Sequence, residues 1–159
     1  MASYHHEQHS PLMVAVGSLM AVSMMVLALV VDGTGWLWAV APLSALPFAM
    51  FWGLRTSVDH EAVRVAFTFG WPKRTFAIDA IEAHAPARNR WHFGWGIRLI
   101  PGGWMFNVWG FDAVDVTYRT KEKIKTFRIG TDDQNGLNSA IASALDAGTD
   151  GLERTSDSA

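Results

Sequence analysis

The feature that most constrains this chain is a long stretch with almost no charge between residues 12 and 54. Residues 12–31 contain no Lys, Arg, Asp, Glu or His, and neither do residues 36–54. An α-helix rises about 1.5 Å per residue, so about twenty apolar residues cross the roughly 30 Å hydrocarbon core of a bilayer. The pattern therefore predicts a transmembrane hairpin of two helices, joined by a tight turn at residues 32–35.

The distribution of basic residues around the hairpin predicts its orientation. The turn has no Lys or Arg, whereas Arg55, Arg64, Lys73 and Arg74 follow the second helix closely. Cytoplasmic loops of membrane proteins carry an excess of Lys and Arg. We therefore expect a multi-pass protein with its turn outside, and with both termini and the domain after the hairpin in the cytoplasm.

Small residues recur at four-residue spacing in the second predicted helix, at Ala41, Ala45, Ala49 and Gly53. Such residues let helix backbones approach closely in lipid. Two interpretations stay open: the helix packs on the first helix of the hairpin, or it docks on another membrane subunit. No ionisable group lies in either span, which argues against an ion or proton path through this chain alone.

Beyond residue 54 the pattern becomes strand-like, with short β-favouring runs between Gly/Pro turns. It predicts about seven strands in a small antiparallel barrel or sandwich. A capping-box pattern at Thr131 and an apolar stripe from Leu137 predict one helix that covers the open end and stops at Gly148. The predicted parts are a tail (1–11), the hairpin (12–54), the β domain with its helix (55–147) and a disordered acidic tail (148–159).

Six fragments occur in a recognisable order after the hairpin. They are residues 69–74 (FGWPKR), 78–81 (IDAI), 94–98 (GWGIR), 101–103 (PGG), 107–108 (NV) and 127–133 (FRIGTDD). With these six fragments in this order, the chain resembles the bacterial pleckstrin-homology-like (PH-like) domain family, whose members are often fused to one or two membrane helices. The resemblance implies a PH-like fold at the bacterial inner membrane, used for self-assembly, partner docking or lipid contact. It brings no catalytic residues.

The densest local feature is residues 91–110, where four Trp and five Gly occur within twenty residues. One interpretation is that Trp fills a small barrel whose turns need Gly. The other is an exposed aromatic face for a protein partner or for lipid headgroups. Because Trp and Arg are favoured interface anchors, the second interpretation selects candidate partner-binding residues. These are Arg88, Arg90, Trp91, Trp95 and Trp104.

Charge is segregated along the chain, although the net charge is only −2. Residues 55–130 contain twelve Lys and Arg against seven Asp and Glu, and residues 131–159 contain one Arg against six acids. The excess of basic residues in 55–130 predicts a modest attraction to anionic lipid. It is too small and too mixed with acidic residues to indicate nucleic-acid binding. Lys73 and Arg74, together with Arg88 and Arg90, form a candidate lipid-facing basic rim.

The residues that carry most enzyme chemistry are missing or scattered. Cysteine is absent, which excludes disulfides, thiolate metal sites and a cysteine nucleophile. No nucleophile elbow, phosphate loop or paired metal-ligand motif occurs. We therefore expect no catalysis, cofactor, metal or small-molecule substrate. The sequence favours a membrane scaffold or accessory subunit that binds itself or another integral membrane protein. The alternative is a peripheral protein that binds anionic lipid headgroups.

Overall fold

The computed structural model of the protein describes residues 4–91, 94–121 and 123–156. Its helices and strands follow in this order: β1 (Tyr4–His9), α1 (Pro11–Val30), α2 (Leu37–Met50), β2 (Gly53–Val58), β3 (Ala62–Phe67), β4 (Lys73–Ala77), β5 (Ile81–Arg88), β6 (Gly96–Ile100), β7 (Gly103–Asn107), β8 (Asp112–Thr120), β9 (Lys123–Gly130) and α3 (Gln134–Ser156). The prediction of an α+β chain, with an apolar N-terminal helical part, a β-rich middle and a C-terminal helix, is confirmed.

Within these described ranges the nine strands form two sheets. The first has the order β1-β2-β3-β4 and is antiparallel throughout. The second has the order β5-β8-β9-β7-β6, in which β7 and β9 run parallel and the other neighbours antiparallel. The barrel that the sequence allowed does not close, because β4 pairs only with β3 and β6 pairs only with β7.

The core lies between the two sheets and is dominated by aromatic rings. Phe67 of the first sheet lies 5.0 Å from Phe106 of the second, and Phe76 lies 4.9 Å from Phe127, measured between ring centroids. Leu137 and Ile141 of α3 are fully buried in the same cluster. The predicted apolar stripe of the C-terminal helix therefore packs on the sandwich.

Both ends of α3 differ from the prediction. The Asp133 side chain, rather than that of Thr131, accepts a bond from a helix amide, with 2.9 Å between its Oδ1 and the Gly136 nitrogen. The helix also continues past Gly148 to Ser156. A helical glycine costs only about 1 kcal/mol, so Gly148 does not by itself end the helix.

An N-terminal strand precedes the first helix, where the sequence predicted only a tail. Strand β1 pairs with β2 from Tyr4 opposite Val58 to His9 opposite Gly53. Its sequence, YHHEQH, has no alternation of apolar and polar residues, so no local pattern indicated a strand.

The apolar hairpin is less symmetrical than the sequence suggested. Among the residues described, α1 is the one helix long and apolar enough to cross a membrane. The second predicted span is shorter, because α2 has fourteen residues and residues 53–54 belong to β2. Gly53 belongs to the sheet because it is the register partner of His9. Its amide also donates to the Thr68 hydroxyl at 2.8 Å.

The small residues of α2 lie mostly towards α1, on which α2 packs. Ala41 is fully buried, and Ala45 and Ala49 line a cleft together with Gly17 of α1. A Cβ atom at Gly17 would lie 2.9 Å from the Cβ of Phe48, so the two backbones approach closely there. Gly53, the fourth member of the predicted stripe, lies in β2 and not on the helix.

Candidate functional site

Strand pairing defines which end of the sandwich carries the helices. Strand β1 stops at His9, just before α1 begins, and β2 starts at Gly53, just after α2 ends. His9 and Gly53 are register partners. Both helices therefore join the sandwich at the same end, which we call the helix-proximal end.

Loops from both sheets lie at this end. The turn between β3 and β4 (68–72) bonds to the start of β2, with 3.1 Å between the Thr68 nitrogen and the Gly53 oxygen. The loop between β7 and β8 (108–111) accepts a bond from β1, with 2.7 Å between Gln8 Nε2 and the Trp109 oxygen. The loop after β5 starts beside it, because the Asn89 amide donates to the Phe111 carbonyl at 2.6 Å.

These loops concentrate aromatic side chains around the point where the helices leave. We define the aromatic end as Trp52, Phe69, Trp71, Trp91, Trp95, Trp109 and Phe111. Trp91 is 83 % exposed, and Phe69 and Trp71 are 67 % and 66 % exposed. Trp95 is half-buried and stacks on Trp109, with ring centroids 5.8 Å apart. The interpretation that the Trp residues fill the core is therefore wrong for the exposed ones.

Four arginines of the described chain are each paired with a neighbouring carboxylate. In the described chain the pairs are Arg55–Glu7, Arg64–Asp59, Arg119–Glu82 and Arg128–Asp115. The last pair is largely buried, with Arg128 Nε and Nη2 lying 2.6 and 2.7 Å from the two Asp115 oxygens. Hydrogen bonding to Asp115 raises the pKa of Arg128.

The predicted basic residues behave differently from these paired arginines. Lys73, Arg74, Arg88 and Arg90 are exposed, and none of them lies within ion-pair distance of a carboxylate in the part of the chain that the structure describes. Arg88 and Arg90 flank the start of the β5–β6 loop at the helix-proximal end. Lys73 and Arg74 begin β4 next to the aromatic turn. Their positive charge is therefore available to an external anion.

A second feature, which we call the side groove, opens between β4 and the β6–β7 pair. It has a volume of about 480 Å³ and is lined by Trp71, Pro72, Lys73, Arg74, Ile97, Trp104 and Phe106. The predicted partner-binding residues are thus divided between two places. Arg88 ends β5, and Arg90, Trp91 and Trp95 lie on the following loop at the aromatic end. Trp104 lies in the side groove with the two basic residues of β4.

Two buried amide side chains hold the aromatic end together: Asn107, which the sequence offered only as part of the NV fragment, and Gln8, which it did not single out. Gln8 and Asn107 are 2 % and 1 % exposed, and both bond to the β7–β8 loop. Asn107 Nδ2 lies 3.2 Å from the Gly110 oxygen. An Asn three residues before a Gly is a turn signal, and it was available in the sequence.

Within the described residues no group of three or more His, Cys, Asp and Glu side chains is arranged to hold a metal ion. The N-terminal histidines lie along β1, where His6 contacts Asp132 and His9 packs on Trp52. The helix-proximal end and the side groove present mainly aromatic and basic side chains.

Comparison with models of known protein families finds no match to this chain, and comparison with curated proteins finds none either.

Proposed function

We propose that this chain is a non-enzymatic integral membrane protein that works by binding. In this proposal a two-helix hairpin anchors a PH-like domain at the inner face of a bacterial cytoplasmic membrane. The domain acts as a scaffold or accessory subunit, which assembles with itself or with another membrane protein. The antiparallel first sheet and the one packed C-terminal helix support the PH-like assignment. Strand β1 and the parallel β7–β9 pair depart from the antiparallel pattern of about seven strands that the sequence predicted.

The pairing of β1 with β2 supports a hairpin in which both helices cross the membrane. If α1 spans the bilayer, α2 must bring the chain back to the same end of the sheet, because β1 and β2 pair there. Helix α2 rises only about 21 Å. Backbone hydrogen bonds from Leu37 to Thr34 and from Trp52 to Ala49 continue the ordered backbone beyond both ends of the helix. A short span is accommodated by local thinning of the bilayer at modest cost.

One observation carries the proposal: the aromatic loops of the domain lie at the end from which the helices leave. Tryptophan is enriched at membrane–water interfaces, where its apolar ring and its N–H group are both satisfied. Exposed Trp36 and Trp38 at the turn of the hairpin provide the matching belt on the other side. The aromatic end therefore rests in the headgroup layer and holds the domain in one orientation, with its sides free for a partner.

The assembly role predicts that the chain is not alone in its membrane. The test is the native mass of the full-length chain, extracted in lipid nanodiscs from the membrane in which it is expressed naturally. We expect either an integer multiple of 17.5 kDa or additional co-purifying chains. A bare monomer at every protein concentration would contradict the assembly role.

A second candidate function is the binding of anionic lipid headgroups. It is favoured by the exposed, unpaired Lys73, Arg74, Arg88 and Arg90, because each well-placed basic group contributes about 1 kcal/mol next to an anionic surface. Under this alternative the nanodisc monomer retains anionic phospholipid, and the charge reversals Arg88→Glu and Arg90→Glu remove it. The same reversals leave the lipid content unchanged if the chain is a scaffold only.

A further inference from the structure

The two sides of the sandwich are protected to different degrees. On one side, α3 and the segment before it cover the edge strands β1 and β5. Tyr4 of β1 donates its hydroxyl proton to Asp133 Oδ2 at 3.1 Å, and Gln134 Nε2 donates to the Ala87 oxygen of β5 at 2.7 Å. On the other side, β4 and β6 have no further strand or helix paired to them in the described chain.

Uncovered edge strands present rows of backbone N–H and C=O groups that can pair with another chain. Extended peptides use such edges by adding a strand, with main-chain bonds for affinity and pockets for alternate side chains. Neither β4 nor β6 contains a proline that would block pairing. The open side of the sandwich is therefore suited to strand addition.

The side groove supplies a pocket where an added strand would need one. Phe76 of β4 points into the core, so Arg74, two residues before it, lies on the same face and borders the groove. Trp104, which is 46 % exposed, forms the opposite wall, and buried Phe106 forms the floor. The volume lies in the range of about 300–1,000 Å³ that is usual for ligand sites.

We infer that the side groove binds an extended segment of a membrane-protein partner. The segment adds to β4 as a strand, places a large apolar side chain against Trp104 and Phe106, and places a carboxylate beside Lys73 and Arg74. Two unpaired cations next to an apolar wall select this acidic and apolar chemistry. The inference rests on the proposed function, since an anchored domain reaches partners that rise from the same membrane.

The direction of the groove favours a peptide over a phospholipid. Trp104 lies three residues before Asn107 on β7, which places it about 10 Å farther from the helix-proximal end. A phospholipid whose headgroup stays at the membrane surface directs its chains into the bilayer and leaves this wall uncovered. An extended peptide that rises from the membrane covers the wall along its length.

The test uses short random peptides displayed on phage and the full-length chain in phosphatidylcholine nanodiscs. Selection on the wild type is paired with counter-selection on Arg74→Glu. We expect enriched peptides to carry Asp or Glu beside Phe, Trp or Leu. The best synthetic peptide should bind at least about tenfold more weakly to Arg74→Glu and to Trp104→Ala. Controls are Lys125→Glu and Ile124→Ala, which change exposed residues outside the groove and should bind it as the wild type does.

A requirement for main-chain hydrogen bonds distinguishes strand addition from a contact made only by charged or apolar side chains. Alternate N–H groups of an extended peptide point to opposite edges of the strand. N-methylation of the nitrogens that face β4 should therefore abolish binding, whereas N-methylation of the nitrogens that face away from β4 should not. Tolerance of N-methylation at every position would overturn the inference, as would failure to enrich any peptide over Arg74→Glu. A phospholipid that the wild type retains and Arg74→Glu loses would also overturn it.

Near-UV circular dichroism of each variant in nanodiscs controls for folding. The peptide results are also separable from the proposed function, because the native mass in nanodiscs measures assembly without the peptide. A multimeric mass with no selectable peptide would contradict peptide binding in the side groove and would support the scaffold role. A monomer that binds peptide in the expected way would contradict assembly in that membrane and would support peptide binding in the side groove.

Discussion

Replacing Gly103 with alanine is expected to unfold the β-sandwich. A Cβ atom at this position would lie 1.7 Å from the carbonyl oxygen of Thr126 and 2.9 Å from its carbonyl carbon. Gly103 begins β7, where it pairs with Thr126 in the parallel part of the second sheet. The neighbouring Thr126 amide also donates to the Gly102 oxygen at 3.0 Å.

The obstacle at Gly103 is backbone, so no side chain can rotate away to relieve it. Strand β9 cannot move aside either, because β8 pairs with its other edge. We expect a loss of more than about 4 kcal/mol, a size seen only for severe defects. That is a large share of the roughly 5–15 kcal/mol that stabilise a typical domain.

The measurement for Gly103→Ala is thermal unfolding of the full-length chain in nanodiscs, followed by near-UV circular dichroism. Gly35→Ala is the matched control, since a Cβ atom there meets no heavy atom within 4 Å. We expect the control to melt as the wild type does. A Gly103→Ala chain that keeps the wild-type near-UV spectrum and melting temperature would show that β7 and β9 are not held this closely.

Removing the Arg128 side chain is expected to cost about 2–3 kcal/mol, because it leaves the Asp115 carboxylate largely buried without its partner. The two side chains are only 17 % and 24 % exposed. The loss comes from the unpaired Asp115 carboxylate. The double change Arg128→Met with Asp115→Leu should therefore recover most of the lost free energy of unfolding. Urea unfolding of the single and double variants measures this coupling.

The surface pair Arg119–Glu82 is the matched control for the buried pair. Arg119 is 69 % exposed, and exposed ion pairs contribute about 0–1 kcal/mol. Arg119→Ala is therefore expected to change the free energy of unfolding by less than about 1 kcal/mol. Equal losses for Arg128→Ala and Arg119→Ala would contradict the distinction between a buried and an exposed pair.

The sequence predicted the strands of the β domain well, because most of them show local alternation between Gly or Pro turns. The Gly and Pro residues of the fragments 69–74 and 101–103, for example, lie just before β4 and just after β6. Strand β1 was missed because its residues are polar and its place depends on pairing with β2 across the whole hairpin. Pairing over such a distance leaves no local signal.

The candidate site could be predicted by residue type but not by place. Trp91, Trp104 and Lys73 were singled out because Trp and basic residues stand out in any sequence. Their arrangement depends on the order of strands in the second sheet, including the parallel β7–β9 pair. No periodicity encodes that order, so the gathering of the aromatic loops around the helices and the separation of Trp104 into the side groove became evident only in the fold.

Spin labels test directly whether the aromatic end of the domain lies in the headgroup layer, as we propose. Because the chain has no cysteine, single spin labels can be placed by Phe69→Cys and Ile124→Cys. These side chains are similarly exposed, at 67 % and 62 %, but lie at opposite ends of the sandwich. The measurement is the accessibility of each label in nanodiscs to oxygen, which partitions into lipid, and to a water-soluble nickel complex. We expect the label at position 69 to be accessible to oxygen and protected from nickel, and the label at position 124 to be accessible to nickel. Equal nickel accessibility at both positions would contradict it.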